Sequence, residues 1–149
     1  MRIAFGCDHG GFTLKEKLVN HLQSRGFKII DLGTTDAHTS VDYPDYAGNV
    51  AKLVIKNKVD MGILCCGTGI GMCITANKVK GIRAASVWNA KTAALAREHN
   101  NANIICLGGR VLTTQNAISI VNAFLKAKPS SSPRHAHRLR KISKLERKC

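Results

Sequence analysis

The sequence predicts one α/β domain, a doubly wound (Rossmann-like) five-stranded parallel sheet flanked by helices, with a C-terminal basic helix. Three observations predict it. Short, continuously apolar runs alternate with segments of helical period. Those runs show little polar alternation, as expected of strands covered on both faces. The polar residues of chemical interest follow directly after three of the runs, where open parallel sheets bind ligands.

The strand candidates are Arg2–Cys7, Phe27–Leu32, Met61–Cys65, Ile82–Val87 and Asn103–Leu107. A first helix carries Leu14, Leu18, Val19 and Leu22 on one stripe and stops at Gly26, a C-terminal cap. A second begins near Pro44, which suits a first helical turn, and turns Ala47, Val50, Ala51, Val54 and Ile55 inward. A third follows the Gly67–Gly71 loop, and a fourth covers Ala90–His99. The fifth starts at Thr113 or Thr114 as N-cap and buries Ala117, Ile118, Val121, Phe124 and Leu125. After Ala127, Lys-Pro-Ser-Ser-Ser-Pro reads as a linker. From Arg134 onward a last helix places Leu139, Ile142 and Leu145 on one stripe. The core is therefore 1–128, and 129–149 is a linker and helix expected to pack on a partner subunit.

The 149 residues suffice for one domain with a real core, and the 44% apolar fraction is ordinary for a globular chain. No stretch is apolar enough to cross a membrane, and Met1 runs into the first strand without a secretory pattern, so a cytoplasmic location is expected. Cys7, Cys65, Cys66, Cys73, Cys106 and Cys149 include no C-x-x-C pair and read as free thiols. His135 and His137 come nearest to a metal-ligand pair but lack a Cys or carboxylate partner, so no metal is expected. The net charge of +14 is uneven: residues 126–149 hold nine Lys or Arg against one acid. Such a tail suits a phosphorylated metabolite, a nucleic-acid backbone or a solvated face. Aromatics make up 5% of the chain and the tail has none, which argues against base stacking.

The sharpest motif is Cys66-Gly67-Thr68-Gly69-Ile70-Gly71, between a strand and a helix. Glycines at alternate positions let backbone N–H groups converge into an anion-binding nest. The plainer reading is a tight turn with no ligand. The spacing is not that of a dinucleotide fingerprint. Cys66 stands at the entrance to the nest, where positive dipole ends favour a thiolate. Cys65 points to the other side and reads as core. Asp8-His9-Gly10-Gly11 is a second polar turn. Asp8 orients a hydroxyl or caps a helix, and His9 meets a phosphate or lies on the surface. His99 reads first as a dipole partner at a helix end. Arg110 sits in a Gly-Gly-Arg turn that favours a substrate contact. Arg134 and Arg138, four apart, share a helix face and form either a phosphate clamp or a solvated patch.

Together these residues carry a resemblance. The motifs are Gly6-Cys-Asp-His-Gly-Gly, Ser40-Val-Asp-Tyr-Pro-Asp-Tyr-Ala, Cys66-Gly-Thr-Gly-Ile-Gly, Ala76-Asn-Lys, Gly81-Ile-Arg-Ala, Ala96-Arg-Glu-His-Asn and Leu107-Gly-Gly-Arg-Val. Over Ile3 to about Ile142 the chain resembles the type B ribose-5-phosphate isomerases, relatives of the galactose-6-phosphate isomerase subunits. The resemblance implies that Cys66 moves a proton between adjacent sugar carbons and that Gly67, Thr68, Gly69, Ile70 and Gly71 hold the enediolate. It implies that His99 opens the sugar ring, supported by Asp8. His9, Arg134 and Arg138 would face the phosphate, Asn100 and Arg110 would complete the contacts, and Tyr43 would line the pocket. It further implies a homodimer, sometimes paired into a tetramer, with sites between chains, a sugar-phosphate substrate and no cofactor. A six-carbon substrate, allose 6-phosphate or galactose 6-phosphate, is the alternative within the same chemistry. A non-catalytic anion- or RNA-binding protein is the alternative outside it.

Overall fold

The computed structural model describes residues 1–147, so Cys149, whose reactivity the sequence leaves open, lies outside them. The strands are β1 (Arg2–Cys7), β2 (Lys28–Asp31), β3 (Met61–Cys66), β4 (Ala84–Ser86) and β5 (Ile104–Gly108). The helices are α1 (Phe12–Ser24), α2 (Tyr43–Ile55), α3 (Ile70–Ala76), α4 (Ala90–Asn100), α5 (Thr114–Lys126) and α6 (Pro133–Glu146). All five strands are parallel, in the order β2-β1-β3-β5-β4. This is the predicted doubly wound sheet, with β1 and β3 at the centre of the winding.

Alternation along each strand divides the core in two. Ile3, Phe5, Ile63, Cys65, Ile105 and Leu107 face one layer with α1, α4 and α5. Ala4, Leu64, Cys66, Ile104 and Cys106 face the other with α2 and α3. Cys65 and Cys66 therefore point to opposite faces because they are adjacent in one strand. Burying a Phe or Ile side chain contributes about 1.5–3 kcal/mol, so fully buried Phe5, Ile63, Ile105 and Phe124 dominate the first layer.

Helix ends follow the local chemistry. Gly26 holds φ at +81° after α1. Its N–H reaches the Gln23 carbonyl at 2.9 Å, and the Phe27 N–H reaches that of Leu22 at 3.1 Å, the paired bonds of a Schellman stop. Asn89 and Thr92 form a reciprocal capping box at the start of α4. Thr113 is the N-cap of α5, its hydroxyl accepting from Asn116 N–H at 3.2 Å.

Several expectations need correction. β2 is an edge strand, and its burial is partial at best, with Ile30 exposed. The outermost strand, β4, spans three residues rather than the six from Ile82 to Val87. Ile55 is exposed at the end of α2, and Ile118 and Leu125 of α5 are half-buried while Ile120 takes an inner place. The expected packing of α6 on a partner subunit is not among these corrections; within its own chain α6 is held where the Glu146 carboxylate accepts from Gly81 N–H at 2.5 Å and where His135 is buried against α4. Ile142 and Leu145 on the predicted stripe stay exposed. Among the described residues, no helix is long and apolar enough to cross a membrane.

Candidate active site

Three strand-end turns and one helix start converge at the carboxyl edge of the sheet. Cys66 is the last residue of β3, and Gly69 turns the chain into α3 with φ at +81°. That turn brings Gly69 N–H to Cys66 Sγ at 3.1 Å. The hydroxyl of Thr68 accepts from Ile70 N–H at 3.3 Å. The first helical bond of α3 runs from Cys73 N–H to the Gly69 carbonyl, so the N–H groups ahead of it lack intrahelical acceptors.

The β5–α5 turn is tied to this loop. Gly109 N–H donates to the Cys66 carbonyl at 2.7 Å, and Arg110 N–H to that of Gly67 at 3.0 Å. The Arg110 guanidinium consequently lies over Gly67, where an added Cβ would meet it at 3.5 Å. Tyr43, the first residue of α2, lies over Gly71 in the same way. The β1–α1 turn completes the group: Asp8 Oδ1 accepts from Gly11 N–H at 3.0 Å, and Gly10 lies against Gly67. Asp8 thus closes its own turn; the N-cap of α1 is Gly11. His9 Nδ1 accepts from Val41 N–H at 3.2 Å, which leaves the proton on Nε2 in the neutral ring.

Here the structure gathers Asp8, His9, Tyr43, Cys66, Gly67, Thr68, Gly69, Ile70, Gly71 and Arg110. One feature departs from expectation. Cys66 is 5% exposed, lying beneath the glycine loop rather than open at its mouth, because its sulfur anchors the loop through Gly69 N–H.

His99, Asn100, Arg134 and Arg138 lie elsewhere. Each crossover helix runs back along the sheet, so the last turn of α4 sits at the amino edge. Arg83, just before β4, donates from Nε to the carbonyls of Asn100 at 3.2 Å and Asn101 at 3.0 Å. The linker joins the same corner through Ser130 N–H and the Glu98 carbonyl, 2.8 Å apart. The six residues of β3 separate the two edges by about 20 Å. One chain therefore carries two groups of predicted site residues at opposite ends of its sheet.

His135 is what sequence reasoning missed. Its ring stacks on His99 with centroids 4.2 Å apart and planes 12° from parallel. It is 5% exposed, and burial, then the neighbouring His99, Arg134 and Arg138, hold it below the usual histidine value. His137 is exposed, so the two histidines of the nominal ligand pair diverge.

Thiol electrostatics also separate the cysteines. Burial pushes Cys7 up to about 12, and Cys65 and Cys106 well up. Cys73 is lowered to about 7, chiefly by a hydrogen bond from the Cys106 thiol.

Comparison with known proteins matches this architecture along its length. The Ribose/Galactose Isomerase family profile covers residues 3–142. The chain is 48% identical over 146 residues to a probable ribose-5-phosphate isomerase B of Mycoplasma genitalium, covering 97% of this chain and 95% of that one. It superposes on the ribose-5-phosphate isomerase B of Clostridium thermocellum with a TM-score of 0.96, 47% identity and 99% of both chains. It also superposes on a Mycoplasma genitalium ribose-5-phosphate isomerase B solved with bound ribulose-5-phosphate, with a TM-score of 0.93, 47% identity, and 99% of this chain and 97% of that one. The chain belongs to the ribose/galactose isomerase family, among its type B ribose-5-phosphate isomerases.

Proposed function

We propose that this chain interconverts ribose 5-phosphate and ribulose 5-phosphate through an enediolate, with Cys66 as the base. The observation that carries the reading is the Cys66 Sγ held 3.1 Å from Gly69 N–H, inside a loop of converging amides. A relative of the same fold binds ribulose-5-phosphate, which supports the substrate class.

The chemistry follows from those groups. With the sugar open, the Cys66 thiolate removes the proton from C2 of the aldose. The electron pair moves through the new C1–C2 double bond onto O1, giving the enediolate. The Cys66 thiol returns the proton to C1 as the carbonyl forms at C2, and a proton passes from O2 to O1. A positioned base contributes about 10²–10⁴-fold. Amides of the Gly67–Gly71 loop stabilise the oxygen charge at roughly 3–4 kcal/mol per good donor. Thr68 stands beside the reacting oxygens. Tyr43 walls the site, and Asp8 holds the turn that carries His9. His9 and Arg110 contact the substrate from the same edge.

His99 is the acid that opens the furanose, Asn100 assists it, and Arg134 and Arg138 clamp the phosphate. Because these four occupy the opposite edge, the reading requires a homodimer in which the Cys66 edge of one chain meets the His99 edge of its partner. The exposed Tyr43, Ile70 and Ile142 are apolar surface for that contact.

The test is turnover of ribose 5-phosphate with subunit mixing. Cys66→Ala and His99→Asn each abolish or cripple turnover alone. After exchange, heterodimers hold one intact and one doubly altered site, restoring about a quarter of wild-type activity. No turnover by the wild type sinks the isomerase reading, and no complementation sinks the shared site.

A further inference from the structure

We propose that His135, kept neutral, is a positioning residue that couples the ring-opening acid to the phosphate clamp. The inference rests on the roles given above to His99 and Arg134. Its basis is that one buried imidazole touches both. Its face stacks on His99 at 4.2 Å, and its Nε2 accepts from Arg134 Nε–H at 3.4 Å.

Local structure puts it there. Ala127 ends α5 in an extended conformation, and Ser130 N–H anchors the linker to the Glu98 carbonyl. Pro133 then opens α6, which places His135 in its first turn, with its own N–H on the Ser132 carbonyl at 3.0 Å. The first turn of α6 is thereby pinned under the last turn of α4, and the two rings meet face to face.

An acceptor at Nε2 requires the proton of the neutral ring to sit on Nδ1. The charged groups facing this ring are all basic: His99 from α4, and Arg134 and Arg138 from α6 itself. Protonating His135 would abolish the acceptor and place a buried cation among them, so burial and these neighbours favour the neutral ring. Neutral His135 therefore packs its face on His99 without adding a charge beside it, and it fixes the Arg134 guanidinium at the same time.

The sign of the pH effect follows. The folded value of His135 lies below its ordinary 6.5. Its contribution is complete above pH 6.5 and is lost as pH falls through the lowered folded value.

Histidine-selective nitrogen NMR of the full chain tests the protonation state without any appeal to turnover. His135 should show a proton on Nδ1 and stay neutral at pH 6.5. A proton on Nε2, or a charged ring at that pH, overturns the proposal. Kinetics with ribose 5-phosphate test the coupling. His135→Phe keeps a ring under His99 but frees Arg134, and should raise KM about tenfold, the worth of one hydrogen bond to a charged group, with kcat within about twofold. His135→Gln keeps an acceptor for Arg134 but removes the stack, and should lower kcat about three- to tenfold with KM nearly unchanged. If both variants match the wild type, or lose kcat and KM alike, the positioning role is wrong. A wild type without turnover refutes the isomerase reading instead and leaves His135 to the NMR result, which also decides should a variant not fold.

Discussion

Gly26 and Gly69 hold the same φ, +81°, in surroundings that differ in one respect, and alanine at each separates two costs. At Gly26 an added Cβ meets nothing within 4 Å. Gly26→Ala therefore pays only the left-handed conformation, about 1–2 kcal/mol. At Gly69 the same Cβ would stand 2.9 Å from the Leu107 carbonyl carbon and 3.1 Å from that of Cys106. These are backbone atoms of β5, which is hydrogen-bonded to β3 and β4 on either side, so α3 must move instead. Overpacking of this kind adds about 1–3 kcal/mol, giving roughly 2–5 kcal/mol for Gly69→Ala. Urea unfolding at one fixed protein concentration measures both. For a chain of this size each kcal/mol also lowers Tm by about 2–4 °C. The active-site consequence is separate. Moving α3 pulls Gly69 N–H away from Cys66 Sγ, so Gly69→Ala should lose about 10²–10³ in kcat while Gly26→Ala keeps its activity. Equal stability losses at the two glycines would refute the steric argument. Full activity in Gly69→Ala would refute the importance of the amide–sulfur contact.

Two further outcomes follow from side-chain electrostatics, and one from the proposed mechanism. Cys73, lowered to about 7, should be alkylated by iodoacetamide at neutral pH well before Cys7, Cys65 or Cys106, and Cys106→Ala should move its labelling to higher pH; mapping by mass spectrometry decides, and simultaneous labelling of Cys7 would contradict it. Burial alone would lower Lys15, but its 2.7 Å bonds to Asp31 and Glu16 prevail and hold it above 10.5. Its pairing therefore stabilises the fold fully below that pH and is lost as pH rises through the raised value. Asp31→Asn should cost about 1–2 kcal/mol at pH 7, discounted because Asp31 is partly solvated, and unchanged urea midpoints from pH 7 to 11 in Lys15→Met and wild type alike would rule the pairing out. His99→Asn should slow conversion of the cyclic aldose far more than of the open-chain ketose, and equal losses in both directions, once the equilibrium is allowed for, would remove His99 from ring opening.

Most of the fold was legible because local signals agreed with one another. Apolar runs located all five strands, and Gly26, Pro44 and Thr113 marked real helix boundaries. The misses have a common cause. Continuous apolarity reads as two-sided burial, yet β2 and β4 are the edges of the sheet, where one side has no neighbour. Strand order depends on tertiary pairing, which periodicity does not encode. Ile55 fails similarly: it continues the α2 stripe by spacing, but the helix ends before a neighbour covers it.

The candidate site was legible in its parts and not in its assembly. The carboxyl-edge group could be read because strand-end position follows directly from sequence order. The same rule forbids His99 from joining it. In a parallel sheet with right-handed crossovers, a residue ending a strand and a residue ending the next helix stand at opposite edges. The motifs Cys66-Gly-Thr-Gly-Ile-Gly and Ala96-Arg-Glu-His-Asn therefore cannot meet within one chain, since the length of β3 lies between them. Chemistry divided between strand ends and helix ends of one α/β chain is itself a sequence-level argument for a site shared by two copies. His135 had no such signal. Its partner, His99, lies 36 positions away on another helix, and the stack arises only when the Pro129–Pro133 linker folds α6 beneath α4.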